Sequence, residues 1–315
     1  MGEAVMLTAL AGGVGATKLL VGLKHAMGPE RGAAVVNTGD DEVFYGLHVS
    51  PDLDTVVYGL AGLGDAERGW GVLGDSFNAL EMLGRLGCET WFKLGDRDLA
   101  VSLYRTMRMM EGASLTQATE EIAAKLGAGW RVLPMTDDRV RTMVETELGI
   151  MPFQQYFVKH GHSLKVRRIV LEGVEHARPT QAVLQAIDTA DHVVLCPSNP
   201  LVSISPILSL EGVRERLRRV EAKILAVSPF VGGRALKGPA ASMMVDLGLD
   251  PSPAGVARLY GDFLDVLVFD IADSSYVEEV RALGVKPVAA RTVMNTLEDK
   301  VLLARTVLRE LGAVS

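Results

Sequence analysis

Met6-Leu7-Thr8-Ala9-Leu10-Ala11-Gly12-Gly13-Val14-Gly15-Ala16-Thr17-Lys18 is the stretch from which the fold of this 315-residue chain is read. An apolar run ends in a cluster of glycines. A Thr-Lys pair follows, and an amphipathic pattern begins at Leu19. That order describes a buried strand, a tight turn and a helix start. Glycines let backbone approach a phosphate, and the free N–H groups of a helix N-terminus point at it. The expected ligand is a phosphate carried by a nucleotide, with Gly12, Gly13, Gly15, Thr17 and Lys18 as the candidate contacts. The loop is not a Walker A sequence. It is only part of a dinucleotide fingerprint, because Lys18 stands where the third glycine belongs. A plain strand-to-helix turn is the competing reading.

Outward from this loop, apolar runs recur with helical patterns between them. The strand candidates are Ala33–Asn37, Arg168–Leu171, His192–Cys196, Lys223–Val227, Asp265–Phe269 and Val285–Ala289. Runs that are apolar throughout suit strands covered on both faces. Helical patterns occupy Thr180–Asp188, Glu211–Val220 and Leu297–Leu311. This is the rhythm of an α/β fold with a doubly wound, mostly parallel, Rossmann-like sheet. The middle of the chain breaks it with helix candidates at Ser76–Leu86, Asp98–Met110 and Ser114–Leu126. Ser114-Leu115-Thr116-Gln117 reads as a capping box. The expected organisation is a nucleotide-binding core of residues 1–61 and 156–315, with residues 62–155 as a largely helical insertion packed on it.

Composition narrows the function. The chain is 48% hydrophobic with a formal net charge of −7. No basic block stands out, so polymeric nucleic acid is not expected as a partner. No apolar run reaches the ~20 residues of a membrane span, and no signal-peptide pattern is read at Gly2-Glu3-Ala4. Cys88 and Cys196 form neither a zinc spacing nor a disulfide framework, and read as reduced packing residues of a cytoplasmic protein.

Ligands of parallel sheets bind beyond the carboxyl ends of the strands. The loops expected to converge there are Ala11–Thr17, Thr38–Glu42, Pro197–Pro200, Ser228–Gly238 and Asp270–Asp273. Asp40, Asp41 and Glu42 follow the second strand, and Asp52 and Asp54 come soon after. Carboxylates beside a phosphate loop suit a hard cation such as Mg2+. Asp40, Asp41 and Asp54 are the metal candidates, although a solvated acidic loop explains Asp40–Glu42 equally well. Trp91-Phe92-Lys93-Leu94-Gly95-Asp96-Arg97-Asp98 offers an aromatic floor with Lys93 and Arg97 as phosphate contacts. Its competing reading makes Asp96 and Asp98 helix N-terminal residues. Ser198 and Asn199, set between Pro197 and Pro200, are candidates for fixing a base or sugar. Ser203 and Ser205 add hydroxyls. The loop Ser228–Pro239 carries two cations, Arg234 and Lys237. No Ser-His-Asp or Cys-His arrangement is visible, which leaves covalent hydrolysis without support.

Gly12–Leu20, Val36-Asn37-Thr38, Pro51–Val56, Lys93–Asp98, Leu133–Asp138, Cys196–Pro200 and Gly238-Pro239-Ala240 occur in one order. The set resembles the 2-phospho-L-lactate transferase family (CofD, also FbiA) of coenzyme F-420 biosynthesis, from the first strand to about Asp270. The resemblance implies transfer of a phospholactyl or phosphoenolpyruvyl group from a guanosine diphosphate ester, with Mg2+ assisting. The acceptor it implies is the ribityl hydroxyl of 7,8-didemethyl-8-hydroxy-5-deazariboflavin (FO). The implied products are coenzyme F-420-0 or its dehydro form, and GMP. Positions matching the family's FO contacts are Asp54 and Lys93, which are also the catalytic candidates. The glycine loop, with Ser198 and Asn199, matches the nucleotide side. A homodimer is implied as well.

Two rival readings stand beside it. A non-catalytic sister family binds UDP-sugars and carries an Asp-Asp-Gly-Gly-Ser-type run. Thr38–Gly46 here has the Asp pair without the Gly-Gly-Ser. A nicotinamide oxidoreductase requires an acidic residue at the end of the second strand, where this chain has Asn37.

Overall fold

The computed structural model describes residues 6–28, 31–235 and 238–313. The chain opens with β1 (Leu7–Ala11), α1 (Gly13–Met27) and β2 (Gly32–Val36), then a short hairpin of β3 (Glu42–Phe44) and β4 (Leu47–Val49). Helices α2 (Pro51–Ala61), α3 (Asn78–Arg85), α4 (Asp96–Met110) and α5 (Leu115–Leu126) follow. Next come β5 (Arg131–Pro134), β6 (Arg141–Thr146), β7 (Gly149–Pro152), β8 (Arg168–Glu172), β9 (His192–Leu195) and β10 (Lys223–Val227). A two-residue pair, β11 (Phe230–Val231) and β12 (Arg234–Ala235), precedes β13 (Val266–Asp270), β14 (Lys286–Ala290) and the C-terminal helix Leu297–Leu311.

Seven strands form one parallel sheet in the order β14-β13-β10-β9-β1-β2-β5. All five residues of β1, and all five of β2, are buried. The two-residue period sends alternate side chains to opposite layers. Ala9, Ala11, Ala34 and Val36 join one core with Leu19, Leu23, Leu303 and Val307. Leu10, Ala33 and Val35 join the other with Val183, Ile187 and Ile207. Burial on both faces is why these runs do not alternate; the one polar side chain in them, Thr8, is buried and donates to the Ala186 carbonyl at 2.6 Å. Chain order reverses between β1 and β9, so the loops after these two strands flank the topological switch point where open α/β sheets bind ligands.

The structure departs from expectation at two places. Strand β5 is the edge of the central sheet, paired with β2, so residues 62–155 are not a continuous helical insertion. The run 168–172 is not a core strand. It pairs antiparallel with β6 in a separate three-stranded sheet, β7-β6-β8, and its centre is only half-buried. Helix α5 starts at the expected capping box, with Ser114 accepting from the Gln117 amide and Gln117 reaching back to Ser114. Cys196 is buried as expected, whereas Cys88 is exposed. Among the described residues, no helix is long and apolar enough to cross a membrane.

Candidate active site

A cavity of about 780 Å3 opens at the switch point. Of the residues singled out from sequence, Gly12, Gly13, Gly15, Lys18, Asp40, Asp54, Lys93, Ser198 and Asn199 all line it. Thr17 and Asp41 do not. Thr17 is buried, and its hydroxyl donates to the Gly13 carbonyl at 2.8 Å. Its methyl lies where a side chain on Gly59 would stand, so Thr17 packs α1 against α2. Lys237 lies outside the described residues.

The glycine loop and the Pro197–Pro200 loop are fastened together. The Gly12 amide donates to Ser198 Oγ at 3.2 Å, and the Ser198 hydroxyl donates to the Gly12 carbonyl at 2.7 Å. Gly13 has φ +55°, a left-handed conformation that favours glycine. A Cβ at Gly15 would stand 2.2 Å from the Pro197 carbonyl oxygen. Asn199 accepts from the Leu201 amide at 3.0 Å, which starts the turn of helix that follows.

Helix α2 places the acids. Pro51 opens it, and Asp52 and Asp54 lie in the first turn, where the helix dipole favours negative charge. The two face different neighbours. Asp52 accepts from Asn37 Nδ2 at 3.0 Å and packs against Gly12 and Gly13. Burial, opposed in part by Asn37, pushes its carboxyl up to about 6. Asp54 takes a bidentate ion pair from the buried guanidinium of Arg105 on α4, whose Nη1 lies 3.1 Å from Oδ2 and whose Nη2 bonds Oδ1. Asp41 is held by His48 Nε2 at 3.0 Å and Ser50 Oγ at 2.7 Å. Asp40 is 6% exposed, and its Oδ1 is sealed from solvent with no hydrogen-bond partner. Burial, then the charges of Asp52 and Asp41, hold its carboxyl well above the usual range. No cluster of three or more His, Cys, Asp or Glu suited to a metal exists among the described residues. Asp40, Asp41 and Asp54 are therefore not gathered around one point.

The segment 91–98 divides its labour. Asp96 caps α3, accepting from Ser76 Oγ at 2.7 Å and from the Asn78 and Ala79 amides. These bonds lower its carboxyl to about 2. Asp75 caps α4 through the amides of Arg97 and Asp98. Asp98 is buried, lines the cavity and accepts from the Tyr58 hydroxyl at 2.8 Å. Burial, then the charge of Asp54, pushes it up to about 7. Lys93 is exposed at the cavity wall.

Aromatic rings complete the walls. Phe92, which lines the cavity, stacks on Phe44 with centroids 4.1 Å apart, and Trp91 meets Phe44 edge-on at 5.4 Å. Across the cavity, Phe157 stacks between Phe153 at 5.6 Å and His162 at 5.7 Å. Lys159 bridges the two walls, with Nζ 3.0 Å from Glu89 and 5.7 Å from the centroid of the Trp91 ring. Sequence reasoning quoted Asp52 and Asp98 without selecting them for chemistry, and it missed Arg105, Tyr58 and the Phe153–Phe157 pair. Arg105 has a signal in hindsight, since it stands seven residues after Asp98 on the same face of one helix.

A parallel sheet whose switch point joins a glycine loop to an acid-bearing, aromatic-walled cavity defines a Rossmann-like nucleotide-site architecture. The chain matches the family described as 2-phospho-L-lactate transferase CofD over residues 7–307, and belongs to it. It is therefore a transferase of the CofD type. It is 42% identical to the 2-phospho-L-lactate transferase of Methanosarcina acetivorans, over 95% of this chain and 96% of the relative. The 2-phospho-L-lactate transferase of Methanopyrus kandleri is 41% identical, with 96% of each chain covered. A phosphoenolpyruvate transferase of Streptomyces griseus is 40% identical, over 96% of this chain and 97% of that one. A crystal structure of a UPF0052 family member from Bacillus halodurans shares the fold, with a TM-score of 0.63 at 18% identity, covering 98% of this chain and 100% of that one.

Proposed function

We propose that this chain moves a phospholactyl or phosphoenolpyruvyl group from a guanosine diphosphate ester to the ribityl hydroxyl of FO, releasing GMP and forming coenzyme F-420-0 or its dehydro form. The observation that carries this reading is one cavity whose lining holds two chemically different sets of residues. A helix N-terminus and the Gly12–Ser198 clasp suit a diphosphate. Trp91, Phe92, Phe153 and Phe157 suit a flat ring system, and Lys93 lines the same cavity. The names of relatives with near-complete coverage, a 2-phospho-L-lactate transferase and a phosphoenolpyruvate transferase, support a transfer of this class.

Mg2+ belongs to the proposal. Asp40 carries a buried oxygen without a partner, and Asp52 stands close enough for its charge to raise Asp40. Two such carboxylates fit a hard divalent cation. Asp40 and Asp52 would hold it, in preference to Asp54, whose two oxygens are taken by Arg105, and to Asp41, which is held through Oδ2 by His48 and Ser50, keeps a buried Oδ1 and does not line the cavity. When bound, the cation would supply charge neutralisation at the transferring phosphate. The residues of the chain position the rest, because phosphoryl-type transfer depends mainly on alignment and electrostatics. Asp54 fixes α2 against α4 through Arg105. Lys93 contacts the deazaflavin acceptor or the transferring phosphate of the donor.

Calorimetric titration of the purified protein with GDP, FO and a UDP-sugar tests the reading. Binding of GDP and FO is expected. Tight binding of the UDP-sugar with none of FO would replace it with a nucleotide-sugar-binding role.

A further inference from the structure

Four carboxylates line the cavity: Asp40, Asp52, Asp54 and Asp98. Three have work that occupies them. Both oxygens of Asp54 are taken by Arg105. Asp40 and Asp52 stand at the glycine loop, where they suit a cation. Asp98 differs. It lies in the first turn of α4, which follows in sequence the cavity-lining residues Trp91, Phe92, Lys93 and Leu94. Its backbone amide is held by Asp75, which fixes its position. One oxygen, Oδ1, accepts from Tyr58, and Oδ2 accepts no hydrogen bond from the described residues.

We propose that Asp98 is the base that takes the proton from the acceptor hydroxyl as that hydroxyl attacks the donor phosphorus. The proposal rests on the transferase reading above. The hydroxyl oxygen forms the new P–O bond with its own electron pair, and its proton passes to the Asp98 carboxylate. The P–O bond to the nucleoside monophosphate breaks, and that pair leaves with the monophosphate. Asp98 then returns its proton to solvent.

The surroundings fit this role. An ordinary carboxylate is a weak base near neutrality, and a useful one titrates near the working pH. The charged and titratable groups facing Asp98 are Asp54 and Tyr58 on α2, Arg105 on its own helix, and Asp75 in the segment between α2 and α3. Burial and the charges of Asp54 and Asp75 raise its proton affinity, while the Tyr58 hydroxyl and Arg105 lower it. Arg105 is kept from pairing with Asp98 because its terminal nitrogens are committed to Asp54.

The test is single-turnover transfer by the full chain, with FO, donor and Mg2+, across pH 5.5–9. In the unaltered protein the rate should rise through about pH 7. Asp98→Asn should lower it by about 100- to 10,000-fold and remove that rise, with FO affinity changed less than threefold. Tyr58→Phe deletes the bond that lowers Asp98, so its rise should move up by on the order of one pH unit. A merely structural Asp98 would not move that midpoint. Asp98→Asn within threefold of the unaltered rate, or a midpoint unmoved in Tyr58→Phe, overturns the assignment. Absence of transfer by the unaltered protein is a different failure, which overturns the proposed reaction and this base with it.

Discussion

Arg105 spends both terminal nitrogens of its guanidinium on the carboxylate of Asp54, joining α4 to α2 behind the cavity wall. Arg105 is 1% exposed. Removing one partner of such a pair leaves an uncompensated buried charge. Arg105→Met is expected to destabilise the protein by about 3–5 kcal/mol. Asp54→Leu combined with Arg105→Met should recover most of that loss, because it buries no charge. Urea denaturation of the single and double variants measures both. A cost below about 1 kcal/mol for Arg105→Met would mean that the pair is solvated in solution.

Asp40 and Asp52 predict an inverted pH response. Both are raised in the folded chain, Asp52 to about 6, so the unfolded chain releases these protons more readily. The contribution of Asp52 to stability is complete below about pH 4, the unfolded carboxylate value, and is lost as pH rises through about 6; Asp40 acts in the same direction. Asp52→Asn should therefore stabilise the metal-free protein at pH 8 and change little at pH 4. Thermal melts at the two values check the sign.

Divalent cation should reverse that loss. With Mg2+ at 100 times its dissociation constant, stabilisation of about 2.7 kcal/mol is expected, larger at pH 8 than at pH 5. Asp40→Asn and Asp52→Asn should each abolish it, while Asp41→Asn should leave it in place. Retention of the full Mg2+ shift by Asp40→Asn would remove this carboxylate from the cation site.

Gly15 tests the clasp between loops. A Cβ there meets backbone, the Pro197 carbonyl oxygen at 2.2 Å, and not a side chain that can swing away. Gly15→Ala should cost about 1–3 kcal/mol of stability and weaken GDP binding more than FO binding. Equal loss of both ligands would point to general unfolding.

The aromatic wall should act on the other ligand. Phe157→Leu removes a ring stacked between Phe153 and His162. It should weaken FO by up to about tenfold, in keeping with the roughly 0.5–1.5 kcal/mol of an aromatic pair. GDP affinity should stay unchanged. Fluorescence titration of FO gives the first number and calorimetry with GDP the second.

Sequence and structure agree best where burial is complete. Strands β1, β2, β9, β10 and β13 are found nearly at their boundaries because both faces are covered and the runs are nearly all apolar; of the exceptions, His192, Lys223 and Asp270 stand at strand ends and only Thr8 is internal. Helix 297–311 is found at both ends, and Thr296 and Asp299 form a capping box at its start. Strand β5 was hidden by its length of four residues, an exposed Arg131 at its start and a proline at its end. Strand β8 reads like a core strand because Ile169-Val170-Leu171 is apolar, yet those residues form an edge strand of a small second sheet. The surroundings of each acid are not legible in the sequence, for a geometric reason. Asp52 and Asp54 are two residues apart on a helix, about 200° around its axis at 3.6 residues per turn. One meets the glycine loop and the other meets Arg105. Nothing in Pro51-Asp52-Leu53-Asp54 says which neighbour stands on which side.

The transfer itself is the most direct measurement. Purified protein is incubated with FO, Mg2+ and each of two donors, the lactyl and enolpyruvyl esters of guanosine diphosphate, and the products are weighed by mass spectrometry. The account predicts a phosphodiester of FO carrying the three-carbon acid, formed together with GMP from at least one donor. FO recovered unchanged with both donors, from protein shown to be folded and to bind GDP, would contradict it.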